Sequence, residues 1–227
     1  MLTAFVIAMR SALDMGIRAA VLATAALASC PLAHAAEPIR AVTGNTVVSS
    51  RDPAVKITLP GSARYVGSDR FVLSTRTLGK FDDCELYAFV DADSTKDIRK
   101  FYWVQFEAYL PSRPQLHHTY DSPRRATIGG LEFYVDTSVS PSGKPPESGS
   151  DEAHFYALLA ARGYRRREFI YVRLVHLTDS TKRKELMIIY AERIAGKGGS
   201  QYPQSTFIAS GLIRRAERSV TIEALSR

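Results

Sequence analysis

The sequence predicts an α+β fold, in which a single curved antiparallel β-sheet of about seven strands carries two helices that come late in the chain. Three observations lead to this prediction. Runs of aliphatic and aromatic residues of strand length recur from residue 53 onwards. Short turn-forming segments separate most of these runs, and tight turns join antiparallel neighbours. Two segments in the second half instead have apolar residues at helical spacing.

The first 35 residues predict an export signal. Arg10 and Arg18 precede an apolar stretch at residues 19–28, and Ala33-His34-Ala35 provides the small residues that a signal peptidase requires. We therefore expect cleavage after Ala35 and a periplasmic or secreted protein, in a layout that suits a bacterium. Three methionines precede the apolar stretch, and each is a candidate start of translation: Met1, Met9 and Met15.

Lipid anchoring is the alternative interpretation of the N-terminus. Residues 27–30 read Leu-Ala-Ser-Cys, a lipoprotein-box pattern in which Cys30 would be lipidated and become the mature N-terminus. Under either interpretation Cys84 is the only other cysteine, so the mature fold has no intramolecular disulfide. Cys84 shares a predicted strand face with apolar neighbours, which favours a buried thiol over a catalytic one: Leu86, Ala88 and Val90.

The charge balance favours anionic partners. The chain has 30 basic and 23 acidic residues, a formal net charge of +7, of which +6 remains without residues 1–35. This excess suits an anionic component of the cell envelope, with a small molecule as the other expected partner. No nucleic-acid-binding motif accompanies the basic residues, so nucleic acid is not expected. No apolar run reaches the ~18 residues of a transmembrane helix, and the sequence does not define an oligomeric state.

The remaining chain is expected to form a leader and one domain. Residues 36–52 lack a clear periodicity and predict an extended or flexible leader, while residues 53–227 predict a single α+β domain. A two-layer sandwich and a barrel with a late helix are both compatible arrangements. The predicted strands are, in chain order, 55–60, 71–78, 84–90, 101–110, 131–139, 169–177, 185–192 and 219–222.

Two helices are predicted from their capping residues. Ser150 is a natural N-cap, followed by two acidic residues in the first turn, and Gly163 is a left-handed C-cap. The apolar stripe between them consists of Phe155, Leu158 and Leu159. The second helix is predicted at 206–218 with Ser205 as its cap, and its inward residues are Phe207, Ile208, Leu212 and Ala216.

The tetrapeptide Asp-Ser-Thr-Lys occurs twice, at 93–96 and 179–182, each time between two predicted strands. Asp, Ser and Thr side chains bond to neighbouring backbone N–H groups in turns, so each copy predicts a hairpin turn rather than a ligand loop. If the even-numbered apolar residues of 84–90 and 101–110 share one face, the first turn must contain an odd number of residues.

The opposite face of this first hairpin is the candidate ligand surface. Rings alternate there with amides and carboxylates, so that the rings would supply contact area and the polar groups would fix orientation. Arg173 of the second hairpin is expected to pair with Glu107 or Glu192. A layer covered by a helix is the structural alternative. The candidate ligand-binding residues are Trp103, Gln105, Glu107, Tyr109, Arg173, Tyr190 and Glu192.

No residue pattern identifies a catalytic site, so catalytic residues stay unassigned, and we expect neither a cofactor nor a metal. The sequence lacks the nucleotide-binding, hydrolase and zinc motifs, and the adjacent His117 and His118 point to opposite sides of an extended segment. The preferred function is therefore a non-catalytic binding or accessory module of the cell envelope. One alternative is a small periplasmic or extracellular hydrolase that uses Glu107 and Glu192 as acid and base. Another is a lipoprotein assembly factor anchored through Cys30.

Overall fold

The structure is a computed structural model that describes residues 40–75, 77–140, 145–194 and 206–225. These ranges contain eleven strands and two helices. The strands are β1 (Ala41–Thr43), β2 (Thr46–Ser49), β3 (Val55–Thr58), β4 (Arg64–Thr75), β5 (Gly79–Ala92), β6 (Ile98–Tyr109), β7 (Arg125–Ile128), β8 (Leu131–Val139), β9 (Phe169–Leu177), β10 (Lys184–Arg193) and β11 (Thr221–Ala224). The helices are α1 (Asp151–Ala161) and α2 (Thr206–Ser219).

The strands form two antiparallel sheets. The larger sheet has seven strands in the order β4-β5-β6-β10-β9-β8-β7, and the smaller sheet has four in the order β1-β2-β3-β11. The predicted α+β class with antiparallel pairing is thus confirmed, but the prediction of a single sheet is wrong. The second sheet arises because β11, at the end of the described chain, pairs with β3 near its beginning.

Strands β1 and β2 lie within the segment that was expected to be an extended or flexible leader. In β2, Val47 and Ser49 are fully buried against the rest of the small sheet. A strand of four residues has only two inward side chains, so its sequence carries little periodic signal. The order of this segment therefore comes from its tertiary partners.

One hydrophobic core lies between the small sheet, α2 and one face of the large sheet. The small sheet contributes Val47, Val55, Ile57 and Ile222, and the large sheet contributes Tyr87, Phe89, Tyr102, Val104 and Phe106. From α2, Leu212 and Ala216 are fully buried, as the sequence predicts. The predicted cap Ser205 and the side chains of Phe207 and Ile208 lie outside the described part of the chain.

A second core lies between α1 and the other face of the large sheet, where Phe155 and Leu159 of the helix are buried. The helix begins where Ser150 accepts a hydrogen bond from the Ala153 N–H at 3.2 Å. Gly163 follows the helix with φ +79°, a left-handed conformation that glycine adopts without steric cost. Both predicted caps are confirmed.

Both Asp-Ser-Thr-Lys segments form the same hairpin turn, as predicted. The Asp93 carboxylate accepts hydrogen bonds from Thr95 and from the Asp97 N–H, and that of Asp179 accepts from Thr181 and from the Arg183 N–H. Both lysines have positive φ, 62° at Lys96 and 56° at Lys182. A tight turn followed by one left-handed residue is a common three-residue hairpin connection.

The register beyond the first turn differs from the prediction. Next to the turn Ala92 is opposite Ile98, but Asp91 is opposite Lys100, so that Arg99 forms a β-bulge without a residue across from it. The bulge shifts the register by one residue and places Trp103 opposite Ala88. The prediction that the even-numbered apolar residues of both strands share a face is therefore wrong. Because both faces of these strands are buried, the hydrophobic pattern does not choose between the two registers.

Candidate functional site

The register of the large sheet divides the seven candidate ligand-binding residues between its two faces. Ile189 is opposite both Trp103 and Arg173, whereas Tyr190 is opposite Tyr102. Five of the candidates therefore lie on the face that packs against α1: Trp103, Gln105, Glu107, Tyr109 and Arg173. The other two, Tyr190 and Glu192, lie on the face that packs against α2 and the small sheet.

The two separated residues have structural partners. The Tyr190 ring is buried and packs against Tyr102, with 5.5 Å between the ring centroids. The Glu192 carboxylate accepts two hydrogen bonds from Arg215 of α2, at 2.7 and 2.9 Å. Glu107 and Glu192 thus cannot act together as acid and base, because the sheet lies between them. The expected pairing of Arg173 with Glu107 or Glu192 is also wrong, since Arg173 donates to Asp136 at 2.9 Å.

Three candidates on the α1 face form a hydrogen-bonded ladder along β6. The Trp103 indole N–H donates to Gln105 Oε1 at 2.7 Å, and the Gln105 amide donates to Glu107 Oε1 at 2.6 Å. Trp103 also stacks on Phe155 of α1, with centroids 4.7 Å apart and planes within 7°. The ladder fixes the orientation of the indole ring, because both its edge and its face have a partner.

Trp103 and Arg173 line one cavity between the first turns of α1 and the middle of the large sheet. The cavity has a volume of about 190 Å³. Its other walls include four further rings, those of Phe101, Phe155, Tyr156 and Tyr171. Asp151 and Glu152 at the start of α1 bring two carboxylates to the same space. A concave space lined by rings with a few polar groups is the usual form of a small-molecule site.

The charged groups of this cavity differ in how they are paired. Glu152 accepts from Arg166 at 3.0 Å, and Arg173 is bound to Asp136. Burial works to lower the pKa of Arg173, but the hydrogen bond and charge of Asp136 raise it overall. The Asp151 carboxylate accepts the Glu152 backbone N–H at 2.7 Å, and among the described residues no cation forms an ion pair with it. Burial raises the pKa of Asp151, so this carboxyl is incompletely compensated.

A cluster of carboxyl groups lies further along the same face of the sheet, and the sequence does not predict it. Asp82 and Glu185 are 2% and 3% exposed, and Glu107 of the ladder is partly buried beside them. Burial raises the pKa of Asp82 to about 6, and burial together with the charges of Glu185 and Asp82 raises the pKa of Glu107. His118 lies 3.0 Å from Glu185, and the Tyr120 hydroxyl donates to the same carboxylate at 2.6 Å.

The sequence does not reveal this cluster because its members come from separate parts of the chain. His118 and Tyr120 belong to the segment between β6 and β7, which has no periodic pattern, and the registers of β6 and β10 bring Glu185 opposite Glu107. Cys84 lies beside the cluster and is fully buried. Its predicted burial is therefore confirmed, and burial together with the neighbouring carboxylates raises the pKa of its thiol.

A second, charged cavity of about 230 Å³ lies where the other face of the large sheet meets the N-terminal strands. Its wall contains a buried ion pair, in which Arg40 donates to Glu85 Oε2 at 2.7 Å through its guanidinium and to Oε1 at 3.0 Å through its backbone N–H. The guanidinium also donates to Ser49 Oγ at 2.8 Å and lies 3.8 Å from the centre of the Phe106 ring. This network attaches the N-terminal strands to β5.

Within the described residues, neither helix has the length and apolar character needed to cross a membrane. Comparison of the chain with protein-family models, with curated proteins and with solved structures gives no match.

Proposed function

We propose that this chain is an exported bacterial binding module of the cell envelope, without catalytic activity, that holds a small molecule in the cavity beneath α1. One observation carries the proposal. Trp103 and Arg173, which the sequence places on different hairpins, line a single ring-walled cavity together with Asp151. Rings that supply contact area around a few polar groups are the arrangement that small-molecule sites use.

The size of the cavity limits the ligand. Sites for drug-sized molecules are typically about 300–1,000 Å³, so a cavity of about 190 Å³ suits a molecule with a single ring. The surrounding rings favour a ligand with a flat apolar face. The Asp151 carboxylate accepts hydrogen bonds and forms no ion pair with a cation of the described residues, so it favours an amino group or a hydroxyl on the ligand. We therefore infer a monocyclic molecule with an amino or hydroxyl substituent.

Fluorescence provides a direct binding test, because Trp103 is the only tryptophan in the chain. Benzylamine and glucosamine, two monocyclic amines of different polarity, are the first probes. We expect at least one of them to change the Trp103 emission in a saturable way. Asp151→Asn should weaken that binding about tenfold or more, since a hydrogen bond to a charged group contributes about 1.5–3 kcal/mol.

The matched control for Asp151→Asn is Asp83→Asn. Asp83 is a partly exposed carboxylate that pairs with Arg70 at 2.7 Å outside this cavity, so its replacement should leave the affinity unchanged. The proposal fails if neither probe changes the emission. It also fails if Asp151→Asn and Asp83→Asn have the same effect, because the binding would then not depend on the cavity.

The export part of the proposal rests on the predicted signal, which lies outside the described residues. The net positive charge of the remaining chain supports contact with an anionic envelope component. Mass spectrometry of the mature N-terminus should find Ala36 as the first residue. If the lipoprotein assembly factor is the correct alternative, the mature chain begins at a lipidated Cys30, and Cys30→Ala releases it from the membrane fraction.

A hydrolase is the second candidate function, and the carboxyl cluster is the observation that favours it. A carboxyl group with a pKa of about 6, as at Asp82, is suited to general acid–base catalysis near neutral pH. The burial of Asp82 works against this function, because a substrate would have to displace the groups that cover it. If the chain is a hydrolase, Glu107→Gln should abolish turnover and leave folding intact.

A further inference from the structure

Three potential metal ligands meet on the α1 face of the large sheet. Cys84 of β5 lies opposite Glu107 of β6, and Asp82 precedes Cys84 by two residues and therefore points to the same face. One carboxylate oxygen of Asp82, one of Glu107 and the Cys84 sulfur all lie within 4.8 Å of one another. The pairing of β5 with β6 imposes this arrangement, because it fixes the backbone positions of all three residues.

Two buried polar atoms beside these ligands lack a partner. Asp82 is 2% exposed, and its Oδ1 has no hydrogen-bond partner among the described residues. His118 is 6% exposed, and its Nε2 is likewise unpartnered, although its Nδ1 lies 3.0 Å from Glu185. An unsatisfied buried polar group costs free energy, so each such group in a folded protein requires an explanation.

The charges around Asp82 also favour a bound cation. Asp82, Glu107 and Glu185 are close enough for each to disfavour the ionisation of another, and His118 is the group whose charge favours the ionised form of Asp82. A cation bound among these side chains would neutralise the carboxylates and provide a partner for Asp82 Oδ1. It would also fix the negative end of the ladder that orients Trp103.

We propose that Asp82, Cys84 and Glu107 bind a divalent transition-metal ion of the zinc type. A thiolate together with carboxylates suits Zn²⁺ or Co²⁺, whereas Ca²⁺ and Mg²⁺ require oxygen ligands alone. The ion would displace the Cys84 thiol proton to solvent, and the sulfur would bind as the thiolate. Zinc prefers four ligands, and a solvent molecule would complete the coordination of these three side chains. This site departs from the expectation that the chain holds no metal.

The test uses Co²⁺, which has a near-ultraviolet charge-transfer absorption when a thiolate binds it. The chain contains two cysteines, so in a Cys30→Ser background Cys84 is the only thiol. Titration of this metal-free protein with Co²⁺ should produce the absorption and reach saturation at one equivalent, and Zn²⁺ should then abolish it. If no such absorption develops, the proposal is overturned, and this result needs no further variant.

Variants assign the remaining ligands. Asp82→Asn and Glu107→Gln should each weaken Co²⁺ binding at least about tenfold, because loss of even an outer partner of a metal ligand costs about 10–100-fold in affinity. The control is Asp83→Asn, next to Asp82 in sequence but with its side chain on the other face of the sheet. Equal affinity in Asp82→Asn and in Asp83→Asn would overturn the assignment of Asp82. Circular dichroism confirms that each variant is folded before it is titrated.

Discussion

The buried ion pair between Arg40 and Glu85 is the contact whose loss we expect to cost the most stability. The two side chains are 8% and 4% exposed, and the Glu85 carboxylate accepts from the Arg40 guanidinium at 2.7 Å and from the Arg40 backbone N–H at 3.0 Å. The Tyr87 hydroxyl also donates to the Glu85 carboxylate. Burial lowers the pKa of Arg40 below its usual range, and the charge of Glu85 opposes this effect. Glu85→Gln keeps the shape of the side chain and leaves the guanidinium without a counter-charge.

The expected magnitude follows from this burial. Removal of one partner of a buried ion pair typically costs about 3–5 kcal/mol, because the remaining charge stays in a medium of low dielectric. Glu85→Gln retains one accepting oxygen, so we expect a loss near the lower limit, about 3 kcal/mol. The control is Glu223→Gln, which removes the partner of Lys56 in a pair whose side chains are 55% and 41% exposed. An exposed pair of this kind contributes about 0–1 kcal/mol.

Urea unfolding followed by circular dichroism measures both variants. With a slope of about 1–3 kcal/mol per molar urea, a loss of about 3 kcal/mol lowers the midpoint by roughly 1–3 M. The slope itself should not change, since the fold is retained. If Glu85→Gln and Glu223→Gln lower the midpoint equally, the attachment of the N-terminal strands through Arg40 is refuted.

Three further predictions concern the fold and the carboxyl cluster. Gly129→Ala should destabilise the chain more than Gly130→Ala in thermal unfolding. Both glycines have positive φ, but a Cβ at Gly129 would lie 2.1 Å from the Ile222 carbonyl oxygen, whereas a Cβ at Gly130 would meet no atom within 4 Å. Equal losses of stability would contradict this packing. Burial raises the pKa of Asp82 from 3.8 to about 6, so the folded state binds a proton that the unfolded state has released. In the presence of a chelator, which removes metal ions, the free energy of unfolding should therefore fall by up to about 3 kcal/mol as the pH rises from about 4 to 7. Asp82→Asn should flatten this part of the pH profile of urea midpoints, and an unchanged profile would refute the assignment. Finally, a chain of residues 53–227 lacks Arg40, β1 and β2 and should have a lower urea midpoint than one of residues 36–227; equal midpoints would show that the N-terminal strands do not stabilise the domain.

Local chemistry made much of the fold predictable. The start of α1 depends on one hydroxyl and its end on one glycine, so Ser150 and Gly163 are informative by themselves. The two Asp-Ser-Thr-Lys turns are predictable for the same reason, since the aspartate of each bonds to N–H groups within its own turn. Strands β8 and β9 have the bounds expected from their apolar runs.

The relations between distant segments were not predictable. The β-bulge at Arg99 decides which side chains of β6 face α1, and no local pattern distinguishes the two registers. Trp103 and Arg173 line the same cavity because of the register between β6 and β10, which the sequence does not reveal. Tyr190 and Glu192 lie on the other face from Arg173, because Arg173 is opposite Ile189 in the β9–β10 hairpin. Asp151 reaches the cavity from α1, and His118 reaches the carboxyl cluster from an irregular segment, so only the folded chain shows either of them beside the sheet residues.

The β-bulge also makes the tolerance of β6 to length changes depend on position. Arg99 has no residue opposite, so a chain without it would keep Asp91 across from Lys100 and would leave Trp103 where it is. Loss of any single residue between Phe101 and Tyr109 would instead turn the rest of the strand over and exchange the contents of the two cores. We therefore expect the hairpin to tolerate loss of a residue at the bulge beside its turn, but not loss of a residue between Phe101 and Tyr109.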